Sequence, residues 1–226
     1  MNAKSALHEV QANIAKVVKK SARDIKDVEL IAVSKTFPVE DIKPVIDAGC
    51  SHFAENRVLE AYDKWHHLKK THPHITLHLI GHLQSNKVKL AVELFDVIHS
   101  VDSEKLAAKI AQHATKINKQ PELFVQVNIA NEQQKRGIKP EEAVAFITSV
   151  RQQYGLNIAG LMCIPPIEGV ASKYFMQLKE LAHKIDKLGL QRPLKLSMGM
   201  SADYVQAIEC GSNYVRIGSA IFGQRK

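Results

Sequence analysis

Eight short apolar segments, separated by longer stretches whose apolar residues recur at helical spacing, constrain this chain more than any other feature. They fall at 30–35, 52–56, 77–81, 96–101, 123–129, 158–164, 194–198 and 214–219. Each is brief and bounded by glycine, proline or polar residues, the pattern of a buried strand. The stretches between them carry helix boundaries. Val39 to Ala48 stops before Gly49, Ser103 to Asn118 opens on an Asp102-Ser103 cap, and Pro140 to Gln153 stops before Gly155. Eight strand–helix repeats in 226 residues predict one α/β domain, residues 1–226, folded as a (β/α)8 barrel of the TIM type. Leu7, Val10, Ile14, Val17 and Val18 share a face ahead of the first repeat and predict an extra N-terminal helix. A doubly wound open sheet is the alternative, disfavoured because no G-x-G-x-x-G follows a strand.

Charge and cysteine usage narrow the function classes. The formal charge of +8 invites a nucleic-acid reading, but the lysines are scattered or sit as doublets at helix ends. Aromatic residues are 6% of the chain and none interleave with basic runs as a stacking platform requires. No apolar run approaches the length of a membrane span, and the N-terminus reads as an amphipathic helix rather than a signal peptide. Cys50, Cys163 and Cys210 are odd in number and far apart, which fits a reducing cytoplasm and neither a disulfide framework nor a thiolate metal site.

A barrel concentrates chemistry at the C-terminal ends of its strands. The residues expected there are Lys35, Asn56, His82, Asn128, the Pro165-Pro166 corner, Ser197 to Ser201 and Gly218-Ser219, with Arg216 a step deeper. In ELIAVSKT, residues 29–36, an apolar run delivers Lys35 to the mouth, where loss of water is expected to lower its pKa and free the amine to attack a carbonyl. Gly199 permits a tight turn, and Ser201 is placed to cap the helix that follows, so free amides and a hydroxyl form an anion site. Gly218 and Ser219 add a second glycine–serine pair, matching the phosphate position after strands seven and eight of many barrels. A reactive lysine beside a phosphate site leaves two ligands open: a sugar phosphate in an imine-forming aldolase, or pyridoxal 5′-phosphate (PLP) in imine linkage to Lys35. Arg216, a donor that does not deprotonate, could hold a pyridine nitrogen unprotonated and so discourage broad amino-acid chemistry.

IAVSKT, FAENRVLE, LHLIGHLQSNKVK, VNIANEQQKRGI, GLMCIP and LSMGMSADYVQAIECGSNYVRIGSAIFGQR resemble, in order and spacing, the pyridoxal phosphate homeostasis proteins, whose barrel is similar to the alanine racemase N-terminal domain. The resemblance implies PLP as cofactor, joined to Lys35 as an internal aldimine. It also implies Asn56 beside the ring, Arg216 on the pyridine nitrogen, and Ser201, Gly218 and Ser219 on the phosphate. It implies cofactor supply and amino-acid balance without catalytic turnover, no catalytic residues, and apo forms of PLP-dependent enzymes as partners. Ala54, Arg57 and Ser219 depart from the family pattern, which has glycine, frequent tyrosine and threonine there. Lys135 is a further cofactor-handling candidate on the same resemblance, alongside loop lysines Lys87 and Lys89.

Two competing classes make different demands. A PLP-dependent racemase needs a second base on the opposite face of the substrate, which relatives take from a further C-terminal domain; the chain's end at Lys226 argues against one. An aldolase would bind no cofactor of its own. His66, His67, His72, His74, His78 and His82 crowd around the third strand without nearby carboxylates or cysteines at ligand spacing, so they read as a polar loop plus one mouth histidine, His82, rather than a metal site. The open mouth and absence of an exposed apolar helix imply a monomer.

Overall fold

The computed structural model describes residues 2–189 and 193–224. Its strands are β1 (Glu29–Val33), β2 (His52–Glu55), β3 (Thr76–Leu79), β4 (Val97–Val101), β5 (Glu122–Gln126), β6 (Ile158–Met162), β7 (Lys195–Met200) and β8 (Tyr214–Ile217). All pair in parallel with their sequence neighbours, and β1 pairs with β8 through Glu29↔Tyr214 to Ala32↔Ile217, closing the barrel. The helices are α1 (Ala3–Lys20), α2 (Val39–Asp47), α3 (Val58–Thr71), α4 (Val88–Leu94), α5 (Glu104–Lys116), α6 (Ala143–Tyr154), α7 (Ala171–Asp186), α8 (Tyr204–Glu209) and α9 (Ser219–Phe222). The expected (β/α)8 barrel with an extra N-terminal helix is therefore what forms.

Strand periodicity sorts the residues into two cores. Outward positions such as Ala32, Phe53, Leu77, Ile98, Val125 and Val215 pack against the helices in one continuous apolar layer. Inward positions Ile31, Val33, Ala54, Val97, Phe124, Met162 and Tyr214 fill the lumen as a second cluster. Gly160 makes room inside it. A Cβ there would lie 2.3 Å from the Phe124 ring and 2.1 Å from the Lys195 carbonyl oxygen. On β8, Val215 and Ile217 face outward into the helix layer while Arg216 faces inward.

Strand ends differ from the sequence reading for local reasons. β1 stops at Val33, so Lys35 lies two residues beyond it in a turn closed by Phe37 N–H donating to the Ser34 carbonyl at 3.2 Å. β5 stops at Gln126 because Asn128 N–H turns to the Ile138 carbonyl, at 2.9 Å, instead of continuing the ladder. β7 continues to Met200, with a register shift between Ser197 and Met200 and Gly199 at φ +92°, a conformation that suits glycine. The predicted helix from Pro140 divides into a single 3-10 turn, Pro140–Glu142, and α6, which ends on Gly155 at φ +64° as a left-handed cap. Arg225 of the last motif lies outside the described residues. No helix among the described residues is long and apolar enough to cross a membrane.

Candidate functional site

Lys35 is half-buried in the turn after β1, and that turn is built by a buried ion-pair network the sequence reading did not anticipate. Glu55, the last residue of β2, is wholly buried. Its Oε1 accepts from Ser34 Oγ at 2.8 Å, from Trp65 Nε1 at 3.0 Å and from Lys64 Nζ at 2.8 Å. Lys64 also donates to the Ser34 and Phe37 carbonyls at 3.0 and 3.2 Å, gripping the turn from both ends. Thr36, at φ +68°, is in a left-handed conformation that costs a β-branched residue about 1–3 kcal/mol, and its N–H is held by Glu60 Oε1 at 2.6 Å. Burial would raise the Glu60 carboxyl, but the Thr36 amide and Lys64 outweigh it and hold the group below its ordinary range. The turn is thus held by side-chain contacts on both sides of the lysine.

Arg216 points into the lumen from β8 and is 3% exposed. Its Nη1 donates to Ser197 Oγ at 2.7 Å and its Nη2 to the Cys163 carbonyl at 2.9 Å. Burial lowers its pKa, with weak compensation from Cys163 and Asp203, yet a guanidinium stays charged under ordinary conditions. Among the described residues no carboxylate lies within ion-pair distance of it, so the guanidinium is held by neutral acceptors. Asn56 follows β2 at the same rim, its Oδ1 buried with no hydrogen-bond partner among the described residues. Gly81 leaves room for it; a Cβ there would lie 2.1 Å from the Asn56 carbonyl oxygen.

Ser201, Gly218 and Ser219 also come together, though not as a helix cap. The helix after β7 begins only at Tyr204, so Ser201 lies in the preceding turn. Its Oγ accepts from the Gly218 and Ala220 amides at 3.3 and 3.4 Å, long contacts that leave both donors under-used. Gly218 has φ −114°, and a Cβ there would meet Val33 at an ordinary 3.4 Å, so its glycine is not dictated by backbone conformation. Phe37 stacks on Phe222 with ring centres 5.0 Å apart, tying the Lys35 turn to α9. Arg216 lies on β8, and Lys35, Asn56, Ser201, Gly218 and Ser219 follow the C-terminal ends of β1, β2, β7 and β8, four adjacent strands of the barrel.

Other candidates stand apart. Lys135, on the loop after β5, donates to the Pro165 carbonyl at 3.1 Å and pairs with Glu132. His82 is 3.9 Å from Asp102 across the β3 and β4 ends; burial raises the Asp102 carboxyl, with His82 and Arg136 opposing. The histidine-rich segment divides. His66 and His67 are on α3 and His72 and His74 follow it, whereas His78 points into the lumen and is wholly buried beside His52 and His99. Among the described residues no group of three or more histidine, cysteine, aspartate and glutamate side chains is arranged to hold a metal ion.

A closed eight-strand barrel with a lysine after its first strand and an arginine rising from its last defines a class, and the alanine racemase N-terminal domain family model matches residues 6–226. The fold alone is shared with alanine racemase of Clostridium difficile 630, at a TM-score of 0.71 and 17% identity, over 95% of this chain and 56% of that one. Within the class, the chain is 39% identical over 225 residues to the pyridoxal phosphate homeostasis protein of Vibrio cholerae, covering 97% of this chain and 94% of the relative. It superposes on PipY of Synechococcus elongatus PCC7942, solved with PLP bound, at a TM-score of 0.81 and 37% identity, over 93% of this chain and 100% of that one. The chain belongs to the pyridoxal phosphate homeostasis protein family.

Proposed function

We propose that this protein binds PLP at the mouth of the barrel, joined to Lys35, and holds it in reserve for other proteins without turning over a substrate of its own. The observation that carries the reading is Arg216, a buried guanidinium in the lumen, held by neutral acceptors and offering donors only. A carboxylate there would keep a pyridine nitrogen protonated and the ring a strong electron sink; a guanidinium donates to the bare nitrogen instead. When bound, the cofactor supplies an aldehyde that condenses with the Lys35 amine, releasing water. The chain's own residues then divide the binding. Asn56 offers its buried Oδ1 to the rim of the ring, and Ser201, Ser219 and the Gly218 amide, with its long contact, take the phosphate.

PLP is present in the PipY structure, and the curated relatives are named for its homeostasis. In this reading the partners are apo forms of PLP-dependent enzymes, and the protein works as a cytoplasmic monomer with no catalytic residue. The experiment is the near-ultraviolet and visible absorption spectrum of the wild type and Lys35→Ala, before and after borohydride, with peptide mass mapping. A yellow band that borohydride bleaches, leaving added mass on the Lys35 peptide, is expected. Absence of the band after adding PLP would refute binding, and alanine racemisation at ordinary enzymatic rates, lost in Lys35→Ala, would refute the reserve role.

A further inference from the structure

Six inward side chains form a single file through the lumen. Arg216 Nη1 donates to Ser197 Oγ at 2.7 Å, and Ser197 Oγ is 2.9 Å from His99 Nδ1. His99 Nε2 is 2.9 Å from His78 Nδ1, and His78 Nε2 is 2.9 Å from His52 Nδ1. His52 Nε2 is 3.7 Å from Glu29 Oε2, at the base of the barrel, where the glutamate is half-exposed. The file therefore runs from beneath the mouth to the opposite end. Tyr214 packs beside all three imidazoles, and Phe124 stacks on His99 at 4.6 Å.

Each link between two rings holds one proton, and each neutral ring carries one, so orienting one link orients them all. Both ends demand the same orientation. At the mouth, Arg216 can only donate; it takes a lone pair of Ser197 and leaves the hydroxyl proton for His99 Nδ1. At the base, the Glu29 carboxylate favours a proton on His52 Nε2. Burial pushes His78 and His99 well below the ordinary imidazole range, reinforced for His99 by Arg216 and for His78 by His99, His52, Lys195 and Lys69. Burial also lowers His52, with Lys195 acting the same way against Glu29, Glu122 and Asp96.

We propose that His52, His78 and His99 are a tautomer-locked file of positioning residues, all protonated on Nε2, through which Glu29 at the base fixes the hydroxyl of Ser197 and with it the acceptor that orients Arg216. The orientation of the guanidinium is then set by a hydrogen-bond polarity that begins at the far end of the barrel. Its significance for a cofactor rests on the proposed function; the file itself does not.

The test is two-bond proton–nitrogen NMR of the histidine rings in uniformly 15N-labelled protein without cofactor, wild type and Glu29→Lys, near neutral pH. Wild type is expected to show three neutral rings, each with its proton on Nε2. A proton on Nδ1 of any of the three, or a charged ring at His78 or His99, overturns the proposal. In Glu29→Lys, a cation replaces the anion at an accessible position, and Nδ1–H forms are expected to appear in His52, His78 and His99 together. A change confined to His52 shows independent rings and also overturns it. Ser197→Ala, loaded with PLP, is expected to shift the absorption band; if no band forms in the wild type either, the proposed function fails while the NMR result stands.

Discussion

Replacing Lys64 with methionine isolates the network that fixes the Lys35 turn. Methionine keeps the stem and removes the ammonium, leaving the wholly buried Glu55 carboxylate without its counter-ion and the Ser34 and Phe37 carbonyls without their shared donor. At 2.8 Å and an effective dielectric of 20, the gross attraction between Lys64 and Glu55 is about 6 kcal/mol. Desolvation of the lysine offsets part of it, and breaking a buried pair from one side costs about 3–5 kcal/mol. With a urea slope near 2.5 kcal/mol/M, a loss of about 4 kcal/mol lowers the unfolding midpoint by roughly 1.6 M. Trp65 is the only tryptophan in the chain, is buried and donates to Glu55, so its fluorescence reports the transition directly. Adding Glu55→Gln to Lys64→Met removes the stranded charge and retains an acceptor for Ser34 and Trp65, so the double variant should be more stable than Lys64→Met alone. A loss under about 1 kcal/mol in Lys64→Met, or strictly additive effects in the pair, would refute the argument.

Gly81→Ala forces a methyl against the Asn56 backbone, 2.1 Å from its carbonyl oxygen, and should cost about 2–3 kcal/mol in urea unfolding. Burial pushes the Cys163 thiol up to about 12 and the Cys50 thiol up to about 11, so both should resist iodoacetamide at pH 8 until the chain is unfolded; rapid native labelling of Cys163, followed by mass spectrometry, would contradict this. The depressed carboxyl of Glu60 contributes stability that is full above its unfolded value near 4.5 and is lost as pH falls through the lower folded value. The stability gap between wild type and Glu60→Gln should therefore be widest near neutrality and close in acid; a gap independent of pH would count against it.

β8 was legible because Val215 and Ile217 alternate with Arg216, and Gly155 marked the end of α6 by its left-handed cap. A serine before a helical run reads as a cap at Ser201, but β7 continues to Met200 through a register shift and the helix begins only at Tyr204. The Glu55–Lys64–Trp65 network joins β2 to α3 around a turn from β1, and nothing in any one segment announces it. The imidazole file was harder still. His52, His78 and His99 are 26 and 21 residues apart in the chain, hidden for the middle one among surface histidines. Strand parity carries the missing signal: His52 and Ala54, His78, and His99 all fall on lumen-facing positions of consecutive strands.

Closure through β1 and β8 has a consequence for how the protein is made. The partner of Glu29 is Tyr214, 185 residues further along the chain. At a synthesis rate of about 5–20 residues per second, one edge of the first strand waits roughly 10–40 s before its neighbour leaves the ribosome. Through that interval the nascent sheet has an open, apolar flank, and β1 offers unpaired backbone groups to any extended segment nearby. The last strand therefore ends the newborn chain's period of greatest risk of aggregation.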